Sequence, residues 1–165
     1  MIRRAFWIAA VAMAIVTTHG GLCRAAGDVT VELVDGTLSI LGDGDDNVVT
    51  ITGDADNFTL TIDGDLTASY SLDGVMAFVI NTGGGNDTIS VFGTIPGNLL
   101  ISAGAGQDWV YLTSSTVLGD LFLEGGQDAD AILVWSLALT GCLDISTGQG
   151  ADLIRFLSSS EIGGS

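Results

Sequence analysis

The chain reads as an all-β protein, a parallel β-helix or β-solenoid of about five to seven rungs with two or more short strands in each. Three observations predict this fold. The sequence superposes on itself at a fixed shift of 22 residues, apolar residues recur at spacing two within each repeat, and Gly, Asp and Asn recur between the apolar pairs.

The period is plainest in the regular repeats from about 76 to 163. Gly97, Gly119, Gly141 and Gly163 form one column. Leu99, Leu121 and Leu143 form another, followed two places on by Ile101, Leu123 and Ile145. After a loop come Val110, Ile132 and Ile154, then Leu112, Val134 and Phe156. Spacing two sends these side chains to one face of each strand and their neighbours to the other. A rung this short cannot bury its own apolar face, so each depends on the next, which favours a stacked solenoid over a sandwich.

Upstream, Phe78 and Ile80 match the first strand of a rung and Ile89 and Val91 the second, with one residue deleted. Farther back, Gly36 to Ile40 leads to Asp46, Asn47 and Val48 in the same order of residue types. Asp46 and Asp87 lie 41 positions apart, nearly two periods. The segment holding Asp54, Asp56, Asp63 and Asp65 is therefore a degenerate rung or an inserted hairpin, and the spacing favours the rung. Pro96 stands just before the Gly97 column, at a corner that tolerates a missing N–H.

Residues 1–26 have the form of a signal peptide. Arg3 and Arg4 supply a basic start, Ala5 to Val16 an apolar run, and Cys23-Arg24-Ala25-Ala26 a small-residue exit. About a dozen apolar residues is too short to span a bilayer. Gly20-Gly21-Leu22 before Cys23 lacks the order of a lipoprotein site. The expected product is one repeat domain, 27–165, exported to the medium, cell surface or periplasm, with no transmembrane segment in the mature chain.

Cleavage would remove Arg3, Arg4, Arg24 and His19 but none of the 20 acidic residues, leaving 20 negative charges against Arg155 alone, a net −19. Such a chain is not expected to bind nucleic acid or an anionic membrane, both of which require clustered Lys or Arg. Cations are the expected partners. Cys142 would remain as a single thiol, expected to be buried or inert.

Each rung carries a Gly/Asp loop between its strands, and the loops end in Asp46, Asp87, Asp108, Asp130 and Asp152. Two places before each stands Gly44, Gly85, Gly106, Asp128 or Gly150. Stacked at about 4.8 Å, successive carboxylates repel by roughly 0.9 kcal/mol in water and about 3.5 kcal/mol at an effective dielectric of 20. A cation between loops reverses that sign. Calcium suits carboxylates and turn carbonyls because it takes six to eight oxygens in flexible geometry, whereas zinc would want His or clustered Cys. The alternative is that Gly, Asn and Asp serve only as turn formers.

The loops resemble the Gly-Gly-x-Gly-x-Asp-x-apolar-x nonapeptide of hemolysin-type calcium-binding (RTX) repeats. The resemblance implies calcium held by Asp carboxylates and loop carbonyls of adjacent coils. Here the motif occurs once per rung, with Leu41, Thr82, Ala103 or Thr147 at its first glycine and Asp128 at an inner one.

With Val110 and Leu112 inward, Trp109, Tyr111 and Trp135 should form an outward aromatic strip, a candidate surface for a glycan or a protein. Ser114, Ser136 and Ser158 read as a turn ladder. Without His no Ser-His-Asp arrangement can form, and a lyase-like base is available only from Arg155, so no enzyme is expected. Gly163 opens a further rung, so the last strand edge is a candidate for self-association.

Overall fold

The computed structural model describes residues 29–54, 57–62, 65–71, 74–157 and 161–162. The expected signal peptide lies outside these residues, as do Asp56, Asp63, Ser158 and Gly163. The described residues form strands and no helix, so none is long and apolar enough to cross a membrane.

In chain order the strands are β1 (Thr30–Val34), β2 (Thr37–Leu41), β3 (Val48–Gly53), β4 (Asn57–Ile62), β5 (Asp65–Ser71), β6 (Ala77–Asn81) and β7 (Thr88–Ile95). They continue as β8 (Asn98–Ala105), β9 (Trp109–Val117), β10 (Leu121–Gln127), β11 (Ala131–Leu139), β12 (Leu143–Gln149), β13 (Leu153–Leu157) and β14 (Glu161–Ile162). One sheet runs β1-β2-β6-β8-β10-β12 and the other β13-β11-β9-β7-β3-β4-β5. Successive rungs add one strand to each sheet in parallel, which makes a β-solenoid of about four turns built from five strand pairs.

The 22-residue period is the hydrogen-bond register itself. Leu99 pairs with Leu121 and Leu121 with Leu143, while Val110 pairs with Ile132 and Ile132 with Ile154. Each inward column is fully buried through the middle rungs, as at Leu99, Ile101, Val110, Leu112, Ile132 and Val134. The residue deleted upstream has a structural counterpart. Phe92 pairs with Thr113 but Gly93 with Ser115, so Ser114 is the extra residue of a bulge, held at φ +49°. Ser136 repeats that conformation at φ +58°. The side chain that binds at this crease is Ser115, which is buried and donates its hydroxyl to Val91 O at 2.8 Å, whereas Ser114 and Ser136 are exposed.

The segment after β3 is a hairpin rather than the degenerate rung favoured by its length. β4 pairs antiparallel with β3, and β5 antiparallel with β4. Phe58, Leu60 and Ile62 alternate into the core, and the Phe58 ring meets Phe78 edge to face at 5.2 Å. β1 folds antiparallel against β2 in the same way and buries Val31. The N-terminal edges of both sheets are thus covered by strands running against the solenoid direction. At the other end, in β13, the core columns stand partly open, with Ile154 42% and Phe156 48% exposed.

Candidate cation-binding loop column

The loops stack at one corner, between the ends of β2, β6, β8, β10 and β12 and the starts of β3, β7, β9, β11 and β13. Their glycines are required by backbone crowding. Gly83, Gly104, Gly126 and Gly148 all have positive φ, and a Cβ at any of them would strike a carbonyl of the preceding rung: Asp43, Gly83, Gly104 and Gly126 respectively. Asp128 takes a positive φ of 73° in the column of Gly85, Gly106 and Gly150, a conformation that Asp tolerates better than most side chains.

Asp87, Asp108 and Asp130 turn into this corner and are 0%, 1% and 3% exposed. They form a ladder in which each carboxylate accepts the backbone N–H of the equivalent residue one rung earlier. Asp87 N–H donates to Asp108 Oδ1 at 2.8 Å, Asp108 N–H to Asp130 Oδ1 at 3.0 Å, and Asp130 N–H to Asp152 Oδ1 at 3.1 Å. The second oxygen of each buried carboxylate, Oδ2 of Asp87, Asp108 and Asp130, has no hydrogen-bond partner. A buried charged oxygen without a donor is costly, so these atoms call for a proton, a water or a cation.

Burial dominates their ionisation. It pushes the Asp108 carboxyl up to about 6; the N–H from Asp87 pulls the other way, and the carboxylates of Asp87, Asp130 and Asp128 push it further up. Burial also raises Asp87 against the stabilising N–H of Asn47, and Asp130 against that of Asp108.

The first loop departs from the sequence reading. Val49, not Val48, pairs with Ile89, so Asn47 rather than Asp46 occupies the head of the aspartate column. Asn47 is fully buried and its N–H donates to Asp87 Oδ1 at 2.7 Å. Asp46 is exposed and accepts the N–H of Asn86 at 2.6 Å; Asn86 Oδ1 in turn accepts the N–H of Gln107 at 2.9 Å. That second ladder runs beside the first in the opposite direction. By the same shift Gly44 stands opposite Gly84, Asp45 opposite Gly85, and Gly42, not Leu41, opens the motif.

The slip was hidden because Asp46 and Asn47 both suit a loop and Val48 and Val49 both suit a strand. Burial separates them, since Val49 is fully buried and Val48 is 42% exposed. A third ladder, at the opposite corner, escaped the sequence reading altogether. Asn98 Oδ1 accepts the N–H of Asp120, and Asp120 Oδ1 accepts the N–H of Cys142, each at 2.8 Å. The detectable signal was the shift of 22 shared by Asn98, Asp120 and Cys142 beside the Gly97 column. Cys142 is exposed there rather than buried, because this column faces outward.

Among the described residues no three His, Cys, Asp or Glu side chains converge on one point. An ion in the loop column would therefore draw on at most two carboxylates and otherwise on backbone carbonyls. Compared with protein-family models, curated proteins and solved structures, the chain matches none.

Proposed function

We propose that this chain is an exported, non-catalytic calcium-binding β-solenoid with a structural role at the cell surface or in an extracellular matrix, its ions held in the gaps between successive loops. One observation carries the reading. In the first gap the Asn47 side-chain amide already stands where a cation would stand: its Nδ2 donates to Asp45 O at 2.6 Å, Thr82 O at 3.3 Å and Asp87 Oδ1 at 3.4 Å. A hydrogen-bond donor that gathers two turn carbonyls and a carboxylate from adjacent rungs has the same electrostatic preference as a hard cation.

In the next gaps the register supplies the same oxygens, but the amide is replaced by a carboxylate. The equivalent sets are Gly85 O, Ala103 O and Asp108; Gly106 O, Gly125 O and Asp130; and Asp128 O, Thr147 O and Asp152. The Oδ2 atoms of Asp87, Asp108 and Asp130 are buried without a hydrogen-bond partner, and that of Asp130 lies beside Thr147 O, since a Cβ at Gly125 would meet both. Three gaps thus combine carbonyl oxygens with two carboxylates; in the first of them the Thr82 hydroxyl donates to Ala103 O at 2.8 Å, whereas Ala103 and Gly125 at the equivalent position of the other two offer no side-chain donor. Calcium bound there supplies positive charge and cross-links rungs that otherwise meet through like charges.

The test is calcium titration by calorimetry, paired with thermal unfolding in excess chelator and in calcium. The reading predicts three bound ions per chain and a higher Tm with calcium. An unchanged Tm and no binding heat would reduce the loops to turns.

A further inference from the structure

We propose that the outward face of the β3-β7-β9-β11-β13 sheet binds a neutral polysaccharide chain. Parallel registry places three outward positions on each of these five strands in straight rows, fifteen in all. None of the fifteen is Asp or Glu. The sole charge among the fifteen is Arg155, which pairs in register with Leu133 and is exposed; beyond the bulge, Glu161 of β14 pairs with Ala138 at the far end of β11. The opposite sheet shows no such exclusion, since Glu124 and Asp144 occupy its outward rows.

Aromatic side chains fill the space the acids leave. Trp109 is 45% and Trp135 54% exposed, and the rings of Trp109 and Tyr111 stand nearly parallel, 11° apart with centroids 6.0 Å apart. Ser90 and Thr113 add hydroxyls within the same rows. Aromatic rings present an apolar surface with few rotatable bonds, so holding them costs little entropy. A pyranose ring has an apolar C–H face that lies on such rings and an edge of hydroxyls that suits Ser, Thr and a guanidinium.

Charge selects among occupants. An acidic polymer meets the long-range repulsion of a chain with formal charge −16, and so does a second copy of this chain. A neutral glycan meets neither. The face is also made by the parallel stack itself, so its rows repeat every rung, as the units of a polysaccharide do.

Of the chain's three tryptophans, Trp109 and Trp135 lie on this face and Trp7 lies outside the described residues, so the part of the emission change that Trp109→Ala and Trp135→Ala remove reports on the face. The full chain is titrated with soluble neutral β-glucan, xylan and mannan, with polygalacturonate as the acidic control, in calcium and again in chelator. A saturable emission shift with at least one neutral polymer, weakened at least tenfold in both Trp109→Ala and Trp135→Ala with Tm unchanged, supports the proposal. No shift with any neutral polymer overturns it, as does equal binding of polygalacturonate. Sedimentation showing a dimer that Trp135→Ala dissociates would assign the face to self-association instead. None of these readouts depends on whether the loops hold calcium, so the two proposals fail separately.

Discussion

Asn47 and Asp87 meet across the first gap of the solenoid: the Asn47 N–H donates to Asp87 Oδ1 at 2.7 Å, and the Asn47 amide reaches the same oxygen at 3.4 Å. The neutral amide ends a column that otherwise consists of carboxylates. Asn47→Asp would extend the carboxylate column by one rung. In chelator this variant should lose roughly 1–3 kcal/mol, the cost of a buried charge in place of a satisfied donor. With calcium it should recover and bind a fourth ion; calorimetry and urea unfolding check both.

Asp108→Asn makes the converse change in the middle of the stack. The amide oxygen still accepts the Asp87 N–H, while one of three adjacent buried charges disappears. Without calcium the variant should be more stable than the parent by about 1 kcal/mol. With calcium it should be less stable and bind fewer ions. A crossing of the two Tm curves on calcium addition is the expected signature.

The pH dependence follows from the raised Asp108 carboxyl, pushed up to about 6 by burial. The folded chain holds this proton where the unfolded chain, with an ordinary carboxylate pKa of about 4, has released it. The stabilisation is complete below pH 4 and is lost as pH rises through 6. Asp87 and Asp130, raised for the same reason, act in the same direction. In chelator, Tm should therefore fall between about pH 4 and pH 7. With calcium, affinity should rise over that interval because the ion displaces the proton. Thermal melts across pH, with and without calcium, measure both slopes.

Asp128→Gly tests backbone strain apart from ion binding. Asp128 sits at φ +73° in a column otherwise held by glycine at Gly85, Gly106 and Gly150. Replacing it should raise stability by about 0.5–1 kcal/mol. It also removes a charge that raises Asp108 and Asp130. Since its proposed part in the site is its backbone carbonyl, ion stoichiometry should not change.

Phe58→Ala tests the hairpin as the lid of the solenoid's N-terminal end. Phe58 is 1% exposed and packs on Phe78 across the core. Its truncation should cost about 3–5 kcal/mol. Hydrogen exchange should then rise first in β2 and β3 rather than in β8 to β11, because rungs are stabilised by their neighbours.

The middle of the molecule was legible residue by residue. Leu99, Leu121 and Leu143 recur at 22 because parallel strands in register place identical positions above one another, so the period in the sequence and the pairing in space are one fact. The aspartates of the later loops were legible for the same reason, and so was the outward direction of Trp109 and Trp135. The first rung was not. Two adjacent loop residues and two adjacent valines left its register ambiguous by one place, and only burial of Val49 and Asn47 resolved it. The hairpin was hidden as well, because its length is close to a repeat and period-two alternation is common to parallel and antiparallel strands.

The amino-acid order alone therefore determined the all-β solenoid, its 22-residue rung and the single corner that gathers acid, since each is a periodic property of the chain. Tertiary structure alone decided that Asn47 heads the aspartate column and that an antiparallel hairpin closes one end. It also decided that three carboxylates are buried with one oxygen each unpartnered. These depend on which neighbour excludes water from a given atom, and neighbours in space are set by packing between rungs rather than by spacing within one.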